Sequence, residues 1–235
     1  MNKFFCQVFQ PAITPTICIF SSRKIVDPHR MFQIITIHME ANMKRLVIIT
    51  VGKTHSGKTT FAQELEKELP HSFVMDQDNQ AEFINSHYEK LQPAEGANTF
   101  KHGLSKFIVD YAKEHTNLHL IICNSNRSRN GRMYLLNELF PKEDYVRILV
   151  HFDIPDDVLY ERVARSPRST NIFRGSYSSF KEVLDRQQSE SLQEDVVDPI
   201  ENEADYLFVI RNSKDINFTI EEIVHLVKDL SPTPK

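Results

Sequence analysis

The chain has 235 residues, 40% hydrophobic and 26% charged, with a formal net charge of −4 and a pI near 6.2. This balance excludes a collagenous, low-complexity or wholly disordered chain, and no run of about 20 uninterrupted apolar residues suggests a conventional spanning helix. The acidic surplus weighs against a protein held on nucleic acid by bulk electrostatics. Three cysteines in a chain this long imply no disulfide framework, so a reducing, cytoplasmic setting fits best.

Residues 1–42 read differently from the rest. Pro11 and Pro15 interrupt an apolar start that also carries Gln7 and Gln10, and proline there removes donors and breaks a helix. No small-x-small cleavage site follows cleanly, so a signal peptide is disfavoured. These residues are expected to be an N-terminal extension outside the folded core, and 43–235 the functional unit.

From Met43 onward, short β-rich apolar runs alternate with helical periods. Strands are expected at 46–51, 72–75, 118–123, 146–152 and 206–210. They are continuous runs, as parallel strands buried on both faces require. Four amphipathic stripes lie among them: Phe61, Leu65 and Leu69; Leu104, Phe107, Ile108 and Tyr111; Met133, Leu136 and Phe140; and Ile220, Ile223, Val224 and Val227. Each stripe is expected to face the core. Five such runs separated by helices predict a three-layer α/β domain with a five-stranded parallel sheet and right-handed crossovers.

Between the first strand and the first helix stands Gly52-Lys53-Thr54-His55-Ser56-Gly57-Lys58-Thr59, followed by Thr60. It matches G-x-x-x-x-G-K-[ST] in the strand-loop-helix setting that gives the pattern its meaning. Glycines let the backbone wrap a phosphate, successive N–H groups form an anion nest, and the helix N-terminus adds positive potential. Lys58 can reach the outer phosphates and Thr59 can ligate Mg²⁺. Residues 52–60 are therefore the expected ATP-binding segment.

The second strand runs into Asp76-Gln77-Asp78-Asn79. Ligands of open α/β sheets gather at the carboxyl ends of strands. Two carboxylates spaced D-x-D there can divide labour: Asp76 holds the metal with Thr59, and Asp78 accepts the proton of an attacking hydroxyl. The plainer reading is a solvated turn, with Asp78 or Asn79 capping the next helix.

These motifs, with Asn124-Ser125-Asn126-Arg127 after the third strand and Phe152-Asp153-Ile154-Pro155 after the fourth, resemble P-loop kinases of the polynucleotide-kinase and zeta-toxin group, often described as AAA-type ATP-binding proteins. The Asp76/Asp78 pair is also similar to that of shikimate and gluconate kinases. The resemblance implies a P-loop NTPase fold with a small helical lid, ATP and Mg²⁺ as cofactors, and Asp78 acting on the acceptor hydroxyl. It also implies lid arginines, carried over to Arg165 and Arg168 with Arg162 as helix-end partner, in the turn-rich stretch around 167–175. The run 198–205 would flank adenine. One departure stands out: the third strand ends in Cys123-Asn124, without the acid that many P-loop NTPases carry there.

The expected activity is transfer of the γ-phosphate of ATP to a hydroxyl on a small molecule, nucleoside or nucleic-acid end, with a small or nucleotide-like acceptor favoured. No membrane and no obligate protein partner are implied. Arg127, Arg129 and Arg132 stand where an acceptor could be clasped, or serve only their own helix. The ten histidines show no ligand spacing. A regulatory ATP-binding protein without a phosphoryl acceptor is the competing class.

Overall fold

The computed structural model describes residues 44–175 and 177–230; the expected extension, with Cys6 and Cys18, and the last five residues lie outside them. Five strands form one parallel sheet: β1 (Arg45–Val51), β2 (Ser72–Asp76), β3 (His119–Cys123), β4 (Tyr145–Phe152) and β5 (Tyr206–Ile210), in the order β2-β3-β1-β4-β5. Each expected strand is present to within a residue. The helices are α1 (Lys58–Glu68), α2 (Gln77–His87), α3 (Thr99–His115), α4 (Arg129–Met133), α5 (Asp156–Ala164), α6 (Phe180–Glu190) and α7 (Ser213–Leu230). A π-helical stretch, Tyr134–Leu139, extends α4.

β1 is the central strand, and its side chains explain the layers. Leu46 and Ile48 point to one face, where they pack with Phe61 and Leu65 of α1, Leu159 of α5, Leu184 of α6 and Ile223 of α7. Val47, Ile49 and Val51 point to the other, with Val109 of α3 and with Leu136 and Phe140. All are buried. Each full burial of a Val, Ile or Leu contributes about 1.5–3 kcal/mol relative to exposure, and here neither face offers a solvated alternative. That is why β1 reads as an apolar run rather than an alternation.

One stripe is corrected. Phe107 and Tyr111 are not core residues: they are 65% and 56% exposed. The buried residues of α3 are Ser105, Val109 and Ala112, so the inward face lies one residue further round the helix. Small and β-branched side chains let α3 approach the sheet closely, and the aromatics stack outside, with Tyr111 against His115 at 4.4 Å.

His119 starts β3 deep in this frame. It is buried, and its Nδ1 accepts the Leu46 N–H at 3.0 Å. Burial, then the fields of His71 and Arg45, lowers its pKa to about 4 from 6.5. A histidine with a depressed folded pKa stabilises the fold fully above 6.5, and that contribution is lost as pH falls toward 4. At ~1.4 kcal/mol per unit the loss amounts to ~3 kcal/mol. His119→Asn keeps an acceptor for Leu46 but does not titrate. Urea unfolding of both proteins between pH 7 and 4 should show the wild type losing stability relative to the variant by about that amount; parallel curves would contradict it.

Candidate active site

β1 ends because Gly52 replaces a side chain that could not fit: with φ +154°, a Cβ there would lie 2.9 Å from the Phe152 Cβ. The Gly52 N–H instead reaches the Ser125 carbonyl at 2.9 Å, tying the loop to the end of β3. The loop turns through His55 (φ 59°) and Gly57 (φ 107°), the latter standing at the N-cap of α1. Alternation of this kind gathers N–H groups into a concavity. The loop is braced by side chains from distant elements. Arg162 Nη1 donates to the carbonyls of His55 and Ser56, both at 3.1 Å. Gln187 Oε1 accepts from the Thr54 N–H at 2.7 Å, and Lys53 pairs with Asp156 at 2.6 Å.

Lys58 folds back over the loop. Its Nζ donates to the Lys53 carbonyl at 2.5 Å and the Ser56 hydroxyl at 3.2 Å, and it forms no ion pair with any described carboxylate. Burial lowers its pKa to about 8. His55 Nε2 is buried without a hydrogen-bond partner, and the ring, edge-on to Phe180 at 4.7 Å, has its pKa lowered to about 4 by burial and then by Arg168, Lys58 and Arg162. A half-buried ammonium without a counter-ion beside an N–H nest fits a phosphate chain.

Across from the loop, Asp76 caps α2: its Oδ1 accepts the Asp78 N–H at 2.9 Å, and its Oδ2 accepts the Thr59 hydroxyl at 3.1 Å. The cap is thus Asp76, not Asp78 or Asn79. Burial raises the Asp76 pKa, opposed by the Asp78 N–H. Cys123, paired in register with Asp76, has its thiol pushed up to about 12 by burial, so it stays neutral. Asn124 Nδ2 donates to Gln77 Oε1 at 2.9 Å. No group of three or more His, Cys, Asp or Glu that could hold a metal exists among the described residues. A hydroxyl with one carboxylate suits Mg²⁺, which keeps waters and takes phosphate oxygens for the rest of its shell.

Asp78 side by side with Asp76 faces the same space and forms an ion pair with Arg168. Arg168 comes from the irregular segment between α5 and α6, and its guanidinium lies 5.1 Å from the Phe180 ring centre. That segment is strapped to the opposite wall: Arg174 donates to the Pro93 and Gly96 carbonyls at 3.0 and 2.5 Å, and Asn85 Nδ2 donates to the Asn171 and Phe173 carbonyls at 2.5 and 3.1 Å. Together these walls border an open cavity of about 1040 Å³. Thr54, His55, Gly57, Lys58, Thr59 and Thr60 line this space, while Gly52, Lys53 and Ser56 shape the loop from behind. Arg162 and Arg168 line it too, whereas Arg165 is exposed at the end of α5 and stands outside.

The arginines after β3 are occupied elsewhere. Arg132 is fully buried and makes a bidentate pair with Glu203 at 2.7 and 2.9 Å. Arg127 donates to the Gln187 carbonyl at 2.7 Å and to the Ser191 hydroxyl, and Arg129 is exposed. Glu203 and Asp205, within the run expected to flank adenine, pair with Arg132 and Arg147. Among the cavity residues that were not anticipated are Lys101 and Gln187. Nothing in the sequence marks Gln187, a polar residue inside an amphipathic helix. Lys101 had a signal: Asn98 begins a helix three residues earlier by accepting the Lys101 N–H at 3.1 Å, which places Lys101 in a first turn.

A family model described as an AAA domain matches residues 47–190, more than half of the chain. No match is found among curated protein sequences. Several solved structures share the fold. A putative kinase from Chloroflexus aurantiacus superposes with a TM-score of 0.54 at 16% identity, covering 79% of this chain and 98% of its own. The APS kinase of Mycobacterium tuberculosis, in complex with AMPPNP and APS, gives 0.51 at 14% over 79% and 99%. A sugar kinase from Janibacter gives 0.50 at 18% over 80% and 96%. The fold is that of the P-loop kinases.

Proposed function

The chain belongs to the AAA domain family, and we propose that within it this protein is an ATP-dependent phosphotransferase acting on a hydroxyl-bearing acceptor. The observation that carries this reading is the convergence on one cavity of an N–H nest with a half-buried Lys58, a Thr59–Asp76 pair, and a second carboxylate, Asp78, held beside Arg168.

In this reading the loop N–H groups and Lys58 bind the phosphates, and Thr59 with Asp76 holds Mg²⁺. Mg²⁺–ATP supplies the transferable phosphoryl group and divalent charge to offset its oxygens. Asp78 accepts the acceptor's hydroxyl proton on a carboxylate oxygen, which leaves the oxygen nucleophilic. Arg168 orients that carboxylate and brings a guanidinium to the point where charge develops. Arg162 acts one step back, by fixing the loop carbonyls so that the N–H groups face inward. Arg165 contributes only if the segment 165–179 moves. Asp76 and Asp78 can share the work because one is buried and caps α2 while the other is half-exposed beside Arg168.

A regulator that binds ATP without an acceptor draws support from the missing acid at the end of β3, where Asn124 stands. The two separate in one experiment. ADP production is followed over a panel of hydroxy acids, sugars, polyols and nucleosides. A phosphotransferase shows acceptor-dependent ADP release and a phosphorylated product; binding of ATP with no acceptor dependence anywhere on the panel favours the regulator.

A further inference from the structure

Six cationic side chains line the cavity: Lys58, Lys101, Arg162, Arg168, Arg174 and Arg186. Their partners divide them. Lys58 and Arg162 belong to the loop. Arg168 is matched by Asp78, and Arg186 by Glu190 at 3.2 Å. Arg174 makes its hydrogen bonds to backbone carbonyls, which leave its charge uncompensated. Lys101 Nζ has neither a hydrogen bond nor an ion pair with any described residue.

Lys101 and Arg174 also act on each other. The charges that weigh most on Lys101 are those of Asp78, Arg174 and Asp76; those on Lys58 include Asp78 but not Lys101. Asp78 and Asp76 are therefore shared between two cationic ends of one cavity. One end is the phosphate-binding loop. The other, built by the first turn of α3 and by Arg174 of the strapped segment, has no described acid of its own. Burial lowers the Lys101 pKa, the cost of holding an ammonium in a wall without a counter-ion. Arg127, Arg129 and Arg132, the other candidates for contacting an acceptor, are bonded elsewhere or exposed outside this wall.

We propose that Lys101, with Arg174, forms an anion-binding subsite for the acceptor, so that the substrate is a small hydroxyl compound that also carries a carboxylate or phosphate group. This rests on the phosphotransferase reading. The anion anchors on Lys101 and its hydroxyl lies toward Asp78; a neutral polyol lacks the anchor.

The test uses the full chain saturated with Mg²⁺–AMPPNP, which occupies the loop and keeps small anions from it. Inorganic phosphate, D-gluconate and neutral sorbitol are titrated while thermal stability is followed, in the wild type, Lys101→Met and Lys101→Arg. Phosphate or gluconate should raise the wild-type Tm and sorbitol should not. The apparent anion affinity should fall about tenfold or more in Lys101→Met, an effect of the size a charge-assisted contact supplies, and return in part in Lys101→Arg. A response to phosphate alone identifies a phosphorylated acceptor, and to gluconate alone a hydroxy acid. Anions acting no more than sorbitol, or equally on wild type and Lys101→Met, overturn the proposal. Failure of AMPPNP itself to bind would instead defeat the phosphotransferase reading, and Lys101→Met should bind AMPPNP as the wild type does.

Discussion

Asp78→Asn is expected to slow phosphoryl transfer by roughly 10²–10⁴-fold, the range for loss of a positioned general base, with ATP affinity changed by no more than a few-fold. The amide is the same size and removes only the proton acceptor. Its ion pair with Arg168 is partly exposed, 40% on the Asp78 side, and such pairs contribute only about 0–1 kcal/mol to stability. The fold should therefore survive, and thermal unfolding should shift little. Asp76→Asn provides the contrast. That side chain is 5% exposed, caps α2 and accepts from Thr59, so its replacement should lower both Tm and nucleotide affinity. Steady-state kinetics with a separate ATP-binding assay checks the difference. A fall in ATP affinity for Asp78→Asn as large as its fall in kcat would mean that Asp78 serves the nucleotide rather than the acceptor.

Glu203→Gln is expected to destabilise the protein by about 3–5 kcal/mol, because it leaves the buried Arg132 guanidinium without its charge partner. The two side chains are 4% and 0% exposed and share two hydrogen bonds. Arg132 also donates to the Arg127 carbonyl at 2.8 Å and the Asn126 carbonyl at 3.3 Å. Asn126 Nδ2 in turn donates to the Thr50 carbonyl at 2.9 Å, and Ser125 accepts from Gly52. The pair therefore fixes the turn after β3 against the end of β1 and the start of the phosphate loop. At about 2–4 °C per kcal/mol for a unit of this size, Tm should fall by roughly 10 °C. Arg132→Met combined with Glu203→Leu removes both charges and should be less damaged than either single change. Differential scanning calorimetry on these four variants decides; a Glu203→Gln protein melting within a degree of wild type would show the pair to be dispensable.

The phosphate loop and the sheet were legible because both depend on local patterns. The run 46–51 is apolar throughout since both its faces are covered, and Gly52 to Thr59 follow one another in the chain. The D-x-D after β2 was legible as two carboxylates, but which one caps α2 was not: a cap depends on where the helix begins, and Asp76 sits one residue before Gln77. The α3 stripe misled in part: Ile108 packs against the core, but Phe107 and Tyr111, which share its helical spacing, stand on the adjacent exposed face. Small residues such as Ser105 and Ala112, with weak hydrophobic signals, mark the real contact. Arg132 could not be distinguished from Arg127 and Arg129, since its partner Glu203 lies 71 residues away. Arg162 was singled out only through the resemblance, Gln187 had no signal at all, and Lys101 had only the signal of a helix start. Each reaches the cavity from an element whose position depends on tertiary packing.

The central claim is that residues 52–60 form a triphosphate receptor, and isothermal titration of Mg²⁺–ATP into the full chain and into Lys58→Ala tests it most directly. The account predicts saturable binding to the wild type and affinity at least about tenfold weaker in the variant, since one charge-assisted contact is worth about that much. No binding to the wild type, or equal binding to both proteins, would contradict it.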